Sequence, residues 1–147
     1  ALLHKLRTVL SHGIVQTGNP LIPFSPIEFS YYCYFAERCI KGLEPQRFSG
    51  INVPNDFLKI IIQFHKDSFP DAELFRLQLE NMLRQGKSLS IGTFRANVTK
   101  VNLRIRKSLN NSALAKIFEI NRHGKRHAVV YGIHIPASKI AIKGSRK

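Results

Sequence analysis

Tryptophan is missing from this 147-residue chain, methionine occurs once and cysteine twice. Cys33 and Cys39 stand six apart, which is neither a CxxC pair nor a zinc-ligand spacing and puts them on different faces of a helix. Buried, reduced thiols in a cytoplasmic protein are the expectation. No stretch of about 18 uncharged apolar residues occurs, so no transmembrane helix and no membrane partner is expected. No signal peptide is visible. The chain opens on Ala1 rather than Met, which suggests a domain cut from a longer protein.

Several chemical signatures are also missing. The histidines, His4, His12, His65, His123, His127 and His134, form no HExxH and no CxxC-plus-His set, so no metal site is expected. There is no GxGxxG, and "QGKS" at Gln85–Ser88 lacks the upstream glycine of a phosphate-binding loop, so no cofactor is expected either. Carboxylates are scarce, with nine Asp and Glu against 23 Lys and Arg and a net charge of +14. Two-metal nuclease chemistry needs several carboxylates to hold its ions. No catalytic residue is therefore assigned.

The scarcity of acids is local. Residues 1–83 hold eight basic and eight acidic residues, whereas residues 84–147 hold fifteen basic residues and one acid, Glu119. A one-sign region repels itself and is best tolerated when a polyanion relieves it. Nucleic acid is the default polyanion, because each neutralised phosphate releases a condensed counterion. A cationic surface kept for solubility, or for an acidic partner, is the plainer alternative.

At 147 residues the chain fits one domain with a real core. Ten Phe and four Tyr supply its bulk. Residues 6–24 read as short antiparallel strands with turns. "SPIEFSYYCYFAERCIKG" reads as a helix: Ser25 caps it, Pro26 suits its first position, Glu28 completes a capping box and Gly42 stops it. Ile27, Tyr31, Tyr34, Phe35 and Cys39 would line its buried side. Residues 43–53 read as a loop. A helix from Pro54 through "NDFLKIIIQFH" follows, although its triple Ile also suits a strand. A third helix follows Pro70, with an apolar stripe of Leu74, Phe75, Leu79, Met82 and Leu83, and ends at Gly86.

The next helix is the most informative. Capped by Ser90 or Ser88, it places Ile91, Phe94, Val98, Val101, Ile105 and Leu109 on one stripe. Ala96, Thr99, Lys100, Leu103, Arg104 and Lys107 then face out, with Arg95 and Arg106 flanking them. Beyond "NNSALAK", two β-prone runs, Ile117–Asn121 and Ala128–Ile135, surround "RHGKR", so that Arg122, His123, Lys125 and Arg126 decorate a hairpin tip. "SKIAI" offers a last strand before a basic tail.

This order is that of a winged helix-turn-helix. The expected fold is α+β, mainly α, with a small N-terminal antiparallel sheet (1–24), the winged helix-turn-helix proper (25–142) with a C-terminal β-hairpin wing, and a basic tail (143–147). A cationic, carboxylate-free helix fits the roughly 12 Å wide major groove, and a basic-tipped hairpin reaches the backbone or minor groove. The expected nucleic-acid contacts are Arg95, Thr99, Lys100, Leu103, Arg104, Arg106, Lys107, Arg122, His123, Lys125 and Arg126. DNA is preferred over RNA as the partner. Leu103 could meet a thymine methyl, pack under the wing or serve a dimer contact, and a homodimer stays open.

"IPFSPIEFSYYCYFAERCIKG" resembles the first helix of OmpR/PhoB-type response-regulator effector domains, "GNPLIPF" their preceding strand, and "RIRKSL" the end of their recognition helix. The match departs in its longer middle helices, in Ser108 where the pattern has Lys, and in the ending of the wing. Ser25-Pro26-x-Glu28-Phe29 with Tyr32, Phe35, Ala36 and Arg38, and the ending Tyr131-Gly132-Ile133-x-Ile135-Pro136 with Ile140 and Ile142, are similar to the C-terminal winged-helix part of CRISPR-associated CARF-domain proteins. That resemblance implies a regulatory effector domain in antiviral defence, with a cyclic oligonucleotide sensed only by a domain outside this chain. Two other functions stay open: a metal-independent ribonuclease or RNA-binding domain using the "RHGKRH" segment, and a winged helix that contacts only protein.

Overall fold

The computed structural model describes residues 8–17, 21–48, 51–124 and 129–143, the side chain of Phe75 excepted. The chain is α+β and mostly helical, with five α-helices and two small sheets among these residues. None of those helices is long and apolar enough to cross a membrane.

Strands β1 (Thr8–Ser11), β2 (Ile14–Thr17) and β3 (Leu21–Pro23) form the expected antiparallel run. His12 and Gly13 join β1 to β2 with positive φ at both positions, the two-residue turn that matches strand twist. Leu10, Val15 and Ile22 alternate inward and are fully buried. This sheet is larger than the N-terminal strands alone. The "SKIAI" segment becomes β7 (Ile140–Ile142), which pairs parallel to β1 and gives the order β3-β2-β1-β7. The sheet is therefore mixed, and residues 8–23 and 140–142 build it together.

Helix α1 (Pro26–Ile40) starts as its sequence demands. The Ser25 hydroxyl accepts from the Glu28 N–H, and the Glu28 carboxylate accepts from the Ser25 N–H at 3.0 Å. At the other end Gly42 adopts φ +67°, which closes the helix. One correction concerns its faces. Every residue from Glu28 to Ala36 is buried, not one side only, because α1 packs against two further helices and against β7.

Residues 43–53 are not a plain loop. They contain β4 (Gln46–Arg47), the outer strand of a second sheet, and Asn52 bridges to Ser90. The triple-Ile segment is helical, as α2 (Asn55–Ser68), with Ile61 buried and Ile60 and Ile62 partly so. Helix α3 (Glu73–Arg84) lies on α2. Its expected stripe is only partly right: Leu79, Met82 and Leu83 touch the core, but Leu74 is 85% exposed.

Helix α4 (Ile91–Leu109) and the short α5 (Ser112–Phe118) complete the helices. The strand expected over Ile117–Asn121 is overturned, since Ile117 and Phe118 end α5. Asn111 caps α5 by accepting from the Leu114 N–H, and "SALAK" is a good helical run that buries Ala115 and Phe118. The hairpin strands are consequently shorter and later, as β5 (Asn121–His123) and β6 (Val130–Gly132), and β6 also pairs with β4. Lys125 and Arg126, expected at the hairpin tip, and the adjoining His127 lie outside the described residues.

Candidate nucleic-acid interface

The orientation of α4 is fixed from its buried side. Phe94 is fully buried and meets the rings of Tyr31 and Phe35 from α1, Phe48 beside β4, Phe57 from α2 and Tyr131 from β6, at centroid separations of 4.7–6.3 Å. Val98, Val101, Ile105 and Leu109 continue that side, all buried, with Ile91 partly so. The helix starts where Ser90 accepts from the Thr93 N–H. Backbone bonds from Val53 to Leu89 and from Ile91 to Ile51 tie that start to the segment before α2. It stops at Asn110, a left-handed residue that the sequence reading did not single out.

Asn97 and Asn102 lock the flanks. The Asn97 amide donates to the Tyr31 hydroxyl at 2.9 Å. Burial pushes the Tyr31 phenol up to about 12, with that hydrogen bond working the other way. Asn102 donates to the Ile120 carbonyl at 3.0 Å and accepts from the Ile120 N–H at 2.9 Å, so one amide holds α4 against the chain entering β5.

The opposite face is solvent-exposed at each expected position: Ala96, Thr99, Lys100, Leu103, Arg104 and Lys107, with Arg95 and Arg106 beside them. The exposed cations fall into two groups. Arg104 directs Nε to Glu28 Oε1 at 3.2 Å and Nη2 to Oε2 at 3.5 Å. The carboxylate that caps α1 thus also holds α4. Arg106 forms a two-pronged pair with Glu119, Nε to Oε2 at 3.1 Å and Nη2 to Oε1 at 2.9 Å. The hydrogen bonds and charge of Glu119 raise the Arg106 pKa above its ordinary value. Arg95, Lys100 and Lys107 make no ion pair among the described residues. Sequence reasoning took Lys100, Arg104 and Lys107 as outward and Arg95 and Arg106 as flanking, and expected contacts from all of them. The signal that separates them is the pair of carboxylates, Glu28 and Glu119, whose distance along the chain from Arg104 and Arg106 hid their proximity.

Thr99 keeps its hydroxyl on its own helix, donating to the Arg95 carbonyl at 3.0 Å. Leu103 is 46% exposed, so no element among the described residues covers it fully. Arg122 and His123 sit exposed on β5. His123 does not stand alone: its Nε2 lies 2.9 Å from His134 Nε2, a cross-hairpin imidazole pair that the sequence did not announce.

Between α4 and β5 lies a cleft of about 420 Å³. Arg95, Arg106 and Arg122 reach it from the two elements, together with Glu119, and Tyr131 forms part of its wall. The Tyr131 hydroxyl is buried and has no hydrogen-bond partner among the described residues. No family model, curated protein or solved structure matched the chain.

Proposed function

We propose that this domain binds nucleic acid, double-stranded DNA before RNA, as a winged-helix effector, with α4 in the major groove and the β5–β6 hairpin as the wing. The observation that carries the reading is the division of charge on α4. Glu28 and Glu119 are each paired with an arginine of α4, and Arg95, Lys100 and Lys107 stay exposed with no ion pair among the described residues. Such a face is repulsive on its own and is relieved by phosphates. The ion pairs of Arg104 and Arg106 serve as orienting contacts that fix the face, leaving Lys100 and Lys107 as the cations most available to a partner. The pairing of β6 with β4 as well as β5 makes the hairpin part of a three-stranded sheet, which supports its reading as a wing. A role as the effector part of a CRISPR-associated regulator rests on the sequence resemblance alone.

The test is anisotropy of a labelled 20-base-pair duplex across a salt series. Each phosphate contact contributes about 0.9 to the slope of log K against log salt. Lys100→Ala with Lys107→Ala is expected to weaken binding and lower that slope by about 1.8. Undiminished binding and slope at moderate salt would remove α4 from the interface, and failure to bind any polyanion at low salt would favour a protein-only partner.

The His123–His134 pair supports a second reading, a metal-independent ribonuclease, because two imidazoles in contact can hold one proton between them. Turnover of labelled RNA that disappears in His123→Ala would favour it. No turnover by the unmodified chain removes it.

A further inference from the structure

We propose that the outward face of α3 is an interface between two copies of this chain, packed antiparallel about a two-fold axis. The proposal stands apart from the nucleic-acid reading, because α3 carries none of the cations assigned to that reading.

The face is apolar and uncovered. Leu74 is 85% exposed and Leu77 45%, three residues apart and therefore neighbours on the helix surface. Beside them, α2 and α3 leave a hollow of about 410 Å³ lined by Ile62, Leu77, Glu80, Leu83 and Arg84. Leu77, Glu80 and Arg84 stand at i, i+3 and i+7, the spacing that frames a hole for a side chain of a facing helix. A projecting leucine and a hole thus share one stripe of α3. Their centres lie about six residues apart, or roughly 9 Å at 1.5 Å per residue. A second copy turned end for end offers the same two features at the same separation in the reverse order. Leu74 of each copy then enters the hollow of the other, and the two Leu77 side chains meet near the axis. This is the self-complementarity that a two-fold contact requires.

Charge selects the second copy and sets its direction. Asp71 and Glu73 are exposed at the start of α3, and Arg84 and Lys87 are exposed at its end. None of these four makes an ion pair among the described residues, whereas Glu80 is held by Arg76 at 3.7 Å. The face is acidic at one end and basic at the other, on a chain whose net charge is +14. Two such chains repel in most orientations. Antiparallel packing of α3 sets the acids of each copy against the bases of the other, twice over. Parallel packing sets like charges together. The helix dipoles favour the antiparallel direction as well. One helix pair is a small interface, so the association is reversible and in the micromolar range.

The test is sedimentation equilibrium of the chain without nucleic acid, from low to high micromolar concentration at moderate salt. The unmodified chain is expected to show a reversible monomer–dimer equilibrium. Leu74→Asp puts an unpaired charge into the opposing hollow and is expected to raise Kd more than about a hundredfold. Leu74 is exposed in the single chain, so this variant keeps the circular dichroism and melting temperature of the dilute unmodified protein. Two further variants, Asp71→Lys with Glu73→Lys and Arg84→Glu with Lys87→Glu, each carry one sign at both ends of the face. Each alone is expected to be monomeric. An equimolar mixture of the two is expected to dimerise, because bases again meet acids at both ends, and that recovery shows that neither variant lost association by unfolding. An unmodified chain that stays monomeric at every concentration overturns the proposal and leaves the face to a different partner. A dimer that survives in Leu74→Asp or in both single-sign variants overturns it too, as does a mixture that remains monomeric.

Discussion

Asn102 shows how much one residue on a surface helix can determine. Its amide closes both backbone groups of Ile120, a residue that is itself buried. Asn102→Ala leaves a buried N–H and C=O without partners, each costing about 1–3 kcal/mol where water does not reach. We expect a loss of about 2 kcal/mol in urea unfolding, together with weakened duplex binding, because the position of β5 relative to α4 depends on that amide. His65 makes a second prediction at this scale. It is fully buried on α2, with Arg76 Nη1 3.3 Å from its Nδ1. Burial first, and the Arg76 charge second, hold its pKa below the ordinary value. The unfolded chain therefore takes up a proton at pH values where the folded chain does not. Stability is full above about pH 6.5, the unfolded value, and declines as the pH falls below it. The urea midpoint is expected to drop between pH 7.5 and 5.5, and less steeply in His65→Gln.

At the scale of elements, α5 is the piece that redraws the expected hairpin. Its Asn111 cap is local and strong, and replacing a capping Asn by Ala costs about 1 kcal/mol. Asn111→Ala is expected to lower the unfolding free energy by that amount and to loosen amide protection through Ser112–Phe118, with α4 unaffected. Where the elements follow short-range rules, the sequence was readable. The Ser25–Pro26–Glu28 box fixed the start of α1, and the 3-4-3-4-4 apolar spacing of α4 fixed both its buried stripe and its outward cations. Where partners come from far along the chain, it was not. Nothing near Arg104 or Arg106 points to Glu28 or Glu119, so cations that look equivalent in sequence divide into paired and exposed. "IFEIN" has the β-prone composition of a strand, but the preceding cap and the burial of Phe118 carry its first residues into a helix. The tertiary setting overrides a propensity worth only tenths of a kcal/mol per residue.

Across the whole molecule, the mixed sheet brings β1 and β7 together from far apart in the sequence, and that too escaped local reading, because parallel pairing of β7 with β1 leaves no turn signature. The consequence is electrostatic as well as structural. The balanced residues 1–83 and the strongly basic residues 84–147 share one fold, as β1 and β7 share a sheet and α1 and α4 share a core. Repulsion among the basic residues therefore opposes the fold as a unit and cannot be relieved by separating one half. The Debye length falls from about 30 Å at 0.01 M salt to about 10 Å at 0.1 M, so the longer-range part of that repulsion is screened over this interval while the close pairs Arg104–Glu28 and Arg106–Glu119 are screened less. Raising sodium chloride from 10 to 100 mM (about 30 to about 10 Å) is expected to raise the melting temperature. Lys100→Ala with Lys107→Ala should raise it at low salt and shrink the salt effect, since each change removes an unpaired charge. Glu119→Gln should do the opposite, lowering the melting temperature by freeing Arg106 and enlarging the salt effect. If salt has no effect on the unmodified chain, the exposed cations on α4 do not repel one another enough to matter, and the electrostatic argument for a polyanionic partner loses its thermodynamic basis.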